Sequence, residues 1–593
     1  MMLDIKKIEM FKRYVAGNKV YCIFLVILAA SLIAHLSFRT DHFQEADSTV
    51  VYPAINDFPV LAMRSLNDTY RGNSFIHFSH DDAVSIINNP MVNNILSKSL
   101  GSLYTQKMRS KMVDGISSNN KPLLFYARAA TVMALAKIKN WLPRPLLAAF
   151  SLPLATTYSF GAGLFYGLVT YFTKDFAGFL SAATFLTVVI FHISVLLLFY
   201  ILRKVSLKPI TAFIASLMML FSFTLYSYSY HLGSTVWIIS SSLLFILLTL
   251  YYFSAVSRSE YLLKLSYLAG ILVFFNYLII FYYLSAIGAL ILVEYGNLSG
   301  ETLTKKMWNL IKTQKFAFFS FLICGLLFFL PGAGNKDAVH SLNEFFVYTY
   351  YIILNYFSLD NENQYFDALQ FMVGSGLFLY GAYILFLTRN GSRQASYLSK
   401  FIFLLSGLFV LAVFSGVLGY IPSRHVLFLA PVMYILFGFG VEKLIVKRRV
   451  IGVLLIGFII YGASLGLKYN FSAGRDVCNI KLDGDYSAII LIRDMAFQLQ
   501  YKNWGGRMVA MPVPDDRDIS SRLAVGQTYW YMSQTTDFNK ELEGWNQNGK
   551  VDVQILKSTE IITDVVFPAY DPASYAWNRP NNCFVTKFKI IKL

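Results

Sequence analysis

The chain has 593 residues, of which 56% are hydrophobic and only 14% are charged. A soluble globular domain carries about 25% charged residues, so this composition excludes a soluble protein and indicates a polytopic membrane protein. The formal net charge of +17 does not indicate a nucleic-acid partner. The basic residues occupy short loops between apolar runs, as the positive-inside rule requires, and no basic stripe is interleaved with aromatic residues.

The N-terminus predicts a retained signal-anchor. Five cations precede the first apolar run: Lys6, Lys7, Lys12, Arg13 and Lys19. The run itself covers 20–37, and no small-x-small cleavage site follows it. We therefore expect residues 1–19 to be cytoplasmic. Because no organelle-sorting signal is present, the expected membrane is a bacterial inner membrane.

The next feature is a series of apolar segments, since a span needs about 20 apolar residues. Nine spans are predicted, at 20–37, 177–202, 209–228, 234–254, 316–331, 369–388, 401–419, 424–442 and 450–467. The stretch 262–296 is too long for one span and is broken near Asn276, so it predicts two short helices.

Five basic clusters lie between these segments and are all cytoplasmic if the chain is threaded from a cytoplasmic N-terminus. They are Arg203/Lys204/Lys208, Arg258/Lys264, Lys305/Lys306/Lys312/Lys315, Arg389/Arg393/Lys400 and Lys443/Lys447/Arg448/Arg449. Together, the segments predict a mostly α transmembrane helical bundle over 20–468.

The same threading puts a large first loop, 39–121, on the outer side. The segments within 122–172 either form two spans or lie along the outer surface as amphipathic or re-entrant pieces. The total is 13 spans in the first case and 11 in the second.

The tail, 469–593, predicts a small α/β domain that is exported to the periplasm. Its strand-like runs are "SAIILI", "RMVAMPV", "VDVQIL", "ITDVVFP" and "CFVTKFKIIKL", with a helical pattern at "IRDMAFQLQYK". This length is sufficient for a separate core. Cys478 and Cys583 fall in this region and form a disulfide if the compartment is oxidising.

An acidic cluster follows the first apolar run directly, in "HLSFRTDHFQEADSTVVYPAI". Asp41, Glu45 and Asp47 head the long outer loop, a few residues beyond the end of a helix. Catalytic groups need such rigid positioning, and long loops in compact proteins are commonly functional. A solvated loop start is the alternative explanation.

Together with the order of the later segments, this cluster resembles the C-type glycosyltransferase (GT-C) superfold. These polytopic enzymes take a sugar from a polyprenyl-phosphate carrier, and their first span runs into an outer loop with an essential Asp or Glu, often in an acid-x-acid pair. Glu45-Ala46-Asp47 corresponds to that pair, and "SLKPITAFIASLMMLFSFTLYSYSYHLGSTVW" to a later span with an outer tip. "YIPSRHVLFLAPVMYILFGFGVE" corresponds to a late span with an Arg-His pair. The chain departs from many relatives in carrying His231, rather than an acid, at the outer tip.

The resemblance implies transfer of a sugar to an exported glycan or lipid acceptor, such as lipopolysaccharide. A carboxylate would act as general base on the acceptor hydroxyl, and Asp47 is the first candidate, followed by Glu45 and Asp41. Alternatively, the same three carboxylates could bind a divalent metal ion, because such ions prefer oxygen ligands.

The leaving phosphate needs cationic donors. Arg424, beside His425, is the first candidate, because its guanidinium matches phosphate geometry, and Arg128 is the second. A snorkelling interfacial anchor is the alternative role for both arginines. His231 is a candidate contact to donor or acceptor.

Two other functions fit parts of the sequence. A polysaccharide polymerase or ligase of the O-antigen type would depend on the arginines rather than on Asp47. A flippase or transporter of lipid-linked sugar would show internal repeats and charges at mid-membrane, and the sequence shows neither clearly.

The threading predicts that Gln44, inside the acidic cluster, is reachable only from outside the cell. In a cysteine-free background, Gln44→Cys should react with a membrane-impermeant maleimide in intact spheroplasts. Labelling that appears only after the membrane is opened would contradict the predicted topology.

Overall fold

The architecture is taken from a computed structural model. It describes residues 19–37, scattered positions between 84 and 138, and then 140–155, 159–173, 176–222, 225, 235–294, 300–324, 341–357, 364–388, 392–415, 418, 424–448, 450–458, 460–461, 489–492, 510–512, 523–533, 537–546, 551–563 and 581–592.

Helices make up the chain from residue 19 to 447 within these ranges. They are α1 (Lys19–Ser37), α2 (Arg144–Ala155), α3 (Phe160–Phe172), α4 (Phe176–Lys204), α5 (Pro209–Leu220), α6 (Thr235–Tyr251), α7 (Arg258–Phe275), α8 (Ile279–Glu294), α9 (Gly300–Thr313), α10 (Lys315–Cys324), α11 (Leu342–Phe357), α12 (Gln364–Thr388), α13 (Arg393–Phe414) and α14 (Ala430–Lys447). A 3-10 helix, Arg424–Leu429, runs directly into α14.

Six helices among the described residues are long and apolar enough to cross a membrane. They lie at Lys19–Ser37, Ser181–Lys204, Val236–Ser254, Ala368–Thr388, Arg393–Phe414 and Leu427–Lys447. Four shorter apolar helices accompany them. The predicted mostly α, multi-pass bundle is therefore confirmed.

The predicted break in 262–296 is also confirmed. Helix α7 ends at Phe275, Asn276 caps it in an extended conformation, and α8 begins at Ile279. The Arg258 guanidinium at the start of α7 pairs with the Glu294 carboxylate at the end of α8, at 2.9 Å. The two helices therefore form an antiparallel hairpin whose open ends meet.

Further polar contacts join other helix ends to this same end of the bundle. They are Lys204 Nζ to Ser254 Oγ (3.0 Å), Lys400 Nζ to the Leu292 carbonyl (2.9 Å), Thr211 Oγ1 to the Glu442 carboxylate (2.6 Å) and Gln314 Nε2 to the Leu262 carbonyl (3.1 Å). Each of the five basic clusters thus contributes one of these contacting residues or lies next to one of them in the sequence. We call this region, marked by Lys204, Arg258, Glu294, Lys400 and Glu442, the cationic end.

Helix α1 runs antiparallel to α4. Near the cationic end, the Tyr21 and Tyr200 hydroxyls are 2.6 Å apart. Farther along, Phe24 stacks on Phe199 with ring centroids 4.7 Å apart. The last contacts join Ser31 and His35 to His192. The C-terminus of α1 therefore leaves the bundle at the end opposite the cationic end.

Helix α14 is the centre of the bundle. Every residue from Ala430 to Val441 is buried, as expected for a helix that is apolar on all sides. Its backbone touches that of α12, because a Cβ built on Gly381 would fall on the Leu436 carbonyl. A Cβ on Gly440 would likewise fall on the Leu377 carbonyl. Two glycines thus permit the closest helix crossing described here.

Helices α2 and α3 form a tight pair, in which Gly163 faces the backbone of Ala148 and Ala149. Phe160 packs edge-on against Phe274, at the end of α7. At 12 and 13 residues, the two helices are roughly 18–20 Å long, short of a hydrocarbon core of about 30 Å. Both helices belong to the second of the two segments within 122–172, and most of the first segment lies outside the described residues, so the choice between spans and surface segments stays a prediction.

The C-terminal region forms a five-stranded mixed sheet of order β2-β1-β3-β5-β4. Its strands are β1 (Ile489–Ile492), β2 (Ala510–Pro512), β3 (Thr528–Ser533), β4 (Asp552–Thr563) and β5 (Asn581–Lys592), with helix α15 (Phe538–Asn546) between β3 and β4. Strands β1, β2 and β3 are parallel, and β5 pairs antiparallel with β3 and β4. The small α/β domain is confirmed.

The sequence analysis did not predict the central strand of this sheet, β3. Its sequence, "TYWYMS", is aromatic rather than aliphatic, yet aromatic residues favour strands as β-branched residues do. Tyr529 and Tyr531 pack with Phe538, Trp545 and Phe588 to form the core. The predicted helix at 492–502 lies outside the described residues except for Ile492, which is the last residue of β1.

The contact between α12 and α14 predicts that alanine substitutions at two glycines of α12 will affect the stability of the protein differently. Gly381→Ala should lower the free energy of unfolding by about 1–3 kcal/mol, because the added methyl meets backbone that cannot move aside. The readout is unfolding of the purified protein in mixed micelles titrated with sodium dodecyl sulfate.

Gly376→Ala is the matched control, since a Cβ there meets nothing within 4 Å. That variant should be neutral or gain up to about 1 kcal/mol from helix propensity. Equal stability of the two variants would show that α12 and α14 do not cross at Gly381.

Candidate functional site

The end of the bundle opposite the cationic end is the candidate site. Several polar side chains lie beneath it, all buried except the half-buried Ser31: Ser31, His35, His192, Ser241, Ser242, Asn276 and Tyr282. We call this set the polar layer. At 1.5 Å per residue, it lies roughly 18 Å from the cationic end along α4, α6 and α8, and Asn276 lies roughly 27 Å from that end along α7. It is therefore inside the apolar part of the bundle, nearer the opposite surface.

One half of the polar layer joins α1 to α4. His192 is nearly fully buried, and its Nδ1 lies 2.9 Å from the Val188 carbonyl, while its Nε2 lies 3.3 Å from Ser31 Oγ. A carbonyl only accepts, so Nδ1 carries the proton and Nε2 accepts from the serine hydroxyl. His35, which is fully buried, packs edge-on against the His192 ring at 5.3 Å.

The other half surrounds the break between α7 and α8. Asn276 Nδ2 donates to Ser241 Oγ (3.0 Å), and Asn276 Oδ1 accepts from the Leu278 amide (3.0 Å). The interrupted backbone is thus satisfied by a side chain rather than by water, as is necessary inside a membrane protein.

Tyr282 connects this break to the 3-10 helix. Its hydroxyl donates to the Phe428 carbonyl and also interacts with Ser242. Phe428 is held between Phe281 and Phe409. The 3-10 helix begins at Arg424, roughly 8 Å before Phe428 at 2.0 Å per residue. The backbone of Arg424 and His425 therefore lies at the same end of the bundle as the exit of α1.

The structure does not test the remaining predicted site residues. Asp41, Glu45, Asp47, Arg128, His231 and Cys478 lie outside the described residues. Cys583 is in β5, opposite Ile561 of β4, so the disulfide with Cys478 stays a prediction. Cys22 and Cys324 are free.

The polar layer itself was not predicted as part of the site. Asn276 was identified only as a helix break, and His35 and His192 were not considered. The signal was present, since polar residues within apolar spans are rare and commonly functional. These amides, hydroxyls and imidazoles donate and accept hydrogen bonds, but they include no carboxylate.

A metal site is not formed by the described part of the chain, which holds no group of three or more His, Cys, Asp or Glu side chains able to bind an ion. The predicted ligands Asp41, Glu45 and Asp47 lie outside that part. Metal binding by these three residues therefore stays a prediction.

The chain was compared with known families, curated proteins and solved structures. No family model matches it, and no curated protein matches it. Two solved structures of the Archaeoglobus fulgidus oligosaccharyltransferase resemble it. The apo form has a TM-score of 0.38 at 11% identity, over 64% of this chain and 62% of that one. The complex with Zn and sulfate has a TM-score of 0.33 at 13% identity, over 63% of this chain and 59% of that one.

This resemblance is weak. The matched region spans about three-fifths of the length of those structures. Because both TM-scores are below 0.5, no property of the archaeal enzyme is transferred to this chain on that basis.

The hydrogen bonds of Asn276 predict that replacing this residue will destabilise the protein. Asn276→Leu keeps a similar volume but leaves the Leu278 amide without its acceptor, so the free energy of unfolding should fall by roughly 1–3 kcal/mol. Asn309→Leu, at an exposed position of α9, should change it by less than about 0.5 kcal/mol. Both are measured by unfolding in mixed micelles, and equal values would contradict the role given to Asn276.

Proposed function

We propose that this protein is a membrane glycosyltransferase of the C type. It takes a sugar from a polyprenyl-phosphate carrier, such as undecaprenyl phosphate, and transfers it to an exported glycan or lipid acceptor, such as lipopolysaccharide. The reaction takes place at the periplasmic face of a bacterial inner membrane. The protein is embedded in the bilayer and needs no nucleic acid.

One observation carries the proposal. Helix α1 leaves the bundle at the end opposite the cationic end, as its antiparallel contacts with α4 require. Positive clusters favour the cytoplasmic side of a membrane. If the cationic end is cytoplasmic, the acids that follow α1 meet the outer surface, where a lipid-borne sugar has been exported.

The proposed reaction is an inverting displacement. An acceptor hydroxyl attacks the anomeric carbon of the sugar, a new glycosidic C–O bond forms, and the C–O bond to the phosphate breaks. The hydroxyl proton passes to a carboxylate, for which Asp47 is the first choice and Glu45 and Asp41 are the others. A positioned base of this kind contributes about 10²–10⁴-fold to the rate. The electron pair of the broken bond leaves with the polyprenyl phosphate.

The charge that develops on the leaving phosphate requires a cation. Arg424 is the proposed donor, with His425 beside it, because a guanidinium offers two parallel N–H bonds to phosphate oxygens. Arg128 is the second candidate for this role. His231 is the candidate contact to donor or acceptor. A divalent ion held by Asp41, Glu45 and Asp47 would supply the same kind of charge stabilisation.

The decisive test is Asp47→Asn, which removes the base while keeping the shape. Purified protein in liposomes is supplied with undecaprenyl phosphate charged with a radiolabelled hexose and with cell-envelope glycolipids as acceptors. The variant should lose at least about 100-fold in transfer rate, since a general base contributes that much or more. Asp57→Asn, a matched change in the same predicted loop, should retain the wild-type rate.

Two results would change the assignment. Full transfer by Asp47→Asn together with loss by Arg424→Gln would indicate a polymerase or ligase with cationic chemistry. Movement of the labelled lipid across the liposome membrane without any transfer would indicate a flippase.

A further inference from the structure

Helix α9 has a protein-facing side and an exposed side of mixed character. Leu310, and Gln314 directly after the helix, are almost fully buried, at 5% and 6% exposure. Trp308 and Ile311, on the other side of the helix, are both 57% exposed. The exposed side thus presents two large apolar side chains that the rest of the described bundle does not cover.

The orientation of α9 is fixed by hydrogen bonds at its C-terminus. Gln314 Nε2 donates to the Leu262 carbonyl (3.1 Å), and Gln314 Oε1 accepts from the Tyr283 hydroxyl (2.9 Å). Both partners belong to the α7–α8 hairpin: Leu262 lies about one turn from the cationic end, and Tyr283 lies farther along α8, next to Tyr282. Because these bonds hold one side of α9 against the bundle, the helix cannot turn Trp308 and Ile311 inward.

The exposed apolar side continues into the next helix. In α10, Ala317 and Phe321 face the bundle, whereas Phe318, Phe319 and Leu322 are exposed. Exposed apolar side chains along one side of a predicted membrane span face lipid. Helix α9 therefore lies at the base of a lipid-facing surface, at the depth where the cations collect.

The charge of α9 complements an anionic surface. Lys305, Lys306 and Lys312 within the helix and Lys315 just after it are opposed by Glu301 alone. Lys312 Nζ lies 5.4 Å from the Trp308 ring centroid, so a cation and an aromatic side chain are adjacent on the exposed side. Tryptophan beside lysine is typical of the level of the lipid headgroups.

We propose that α9 is an interfacial helix that binds anionic phospholipid in the leaflet at the cationic end. Trp308 and Ile311 insert between the headgroups, while Lys305 and Lys312 contact the phosphates. Basic residues near an anionic surface attract it at short range. The helix would concentrate anionic lipid beside α10, and this property does not depend on the proposed activity.

The test measures which lipid lies next to Trp308. Full-length protein is placed in nanodiscs of equal parts phosphatidylglycerol and phosphatidylcholine, with shallow bromine labels on one lipid or on the other. The Trp308 signal is the emission of the wild type minus that of Trp308→Phe. Brominated phosphatidylglycerol should quench this signal about two- to threefold more than brominated phosphatidylcholine.

Two double variants test whether the lipid preference comes from α9 or from the overall positive charge of the protein. The double variant Lys305→Gln/Lys312→Gln should bring the two lipids to equal quenching. Lys443→Gln/Lys447→Gln removes the same charge from α14, and the preference should persist. Equal quenching in the wild type would overturn the anionic preference, and absence of quenching by either lipid would overturn the interfacial placement.

Discussion

The structure depends on the exclusion of charge from the hydrocarbon layer. The ionic side chains of the helix ends meet one another at a single level, where Arg258 pairs with Glu294 and Lys204 bonds to Ser254. Once these ends are fixed, the direction of each connected helix follows. The direction of α1 follows as well, because its contacts with α4 are antiparallel.

A second constraint is that buried backbone and side-chain polar groups must find partners within the bundle. Within the polar layer, Asn276 bonds to Ser241 and to the backbone of the next turn. Tyr282 bonds to the Phe428 carbonyl and so ties the break between α7 and α8 to the start of α14. These bonds give the half of the bundle opposite the cationic end a fixed floor, above which the 3-10 helix begins at Arg424. In the proposed enzyme, this floor would hold the leaving-group cation in position, while the base comes from the loop after α1.

The cationic end and the opposite end have different chemistry. At the cationic end, exposed lysines and Trp308 of α9 suit an anionic lipid surface. At the other end, the polar layer consists of neutral hydrogen-bonding groups, and the acids proposed for catalysis follow α1 in the sequence. In the proposed enzyme, this division would separate the end that binds lipid from the end that carries out the reaction.

The sequence by itself determined the membrane class, the positions of most spans, the break at Asn276 and the C-terminal α/β domain. These features depend on local hydropathy, charge and strand propensity, which neighbouring residues set. Only the tertiary structure decided which helices touch: the backbone crossing at Gly381 and Gly440, the burial of His35 against His192, and the side of α9 that faces the bundle. Those features depend on residues far apart in the chain, and hydropathy does not encode which partner a given apolar or polar side chain will meet.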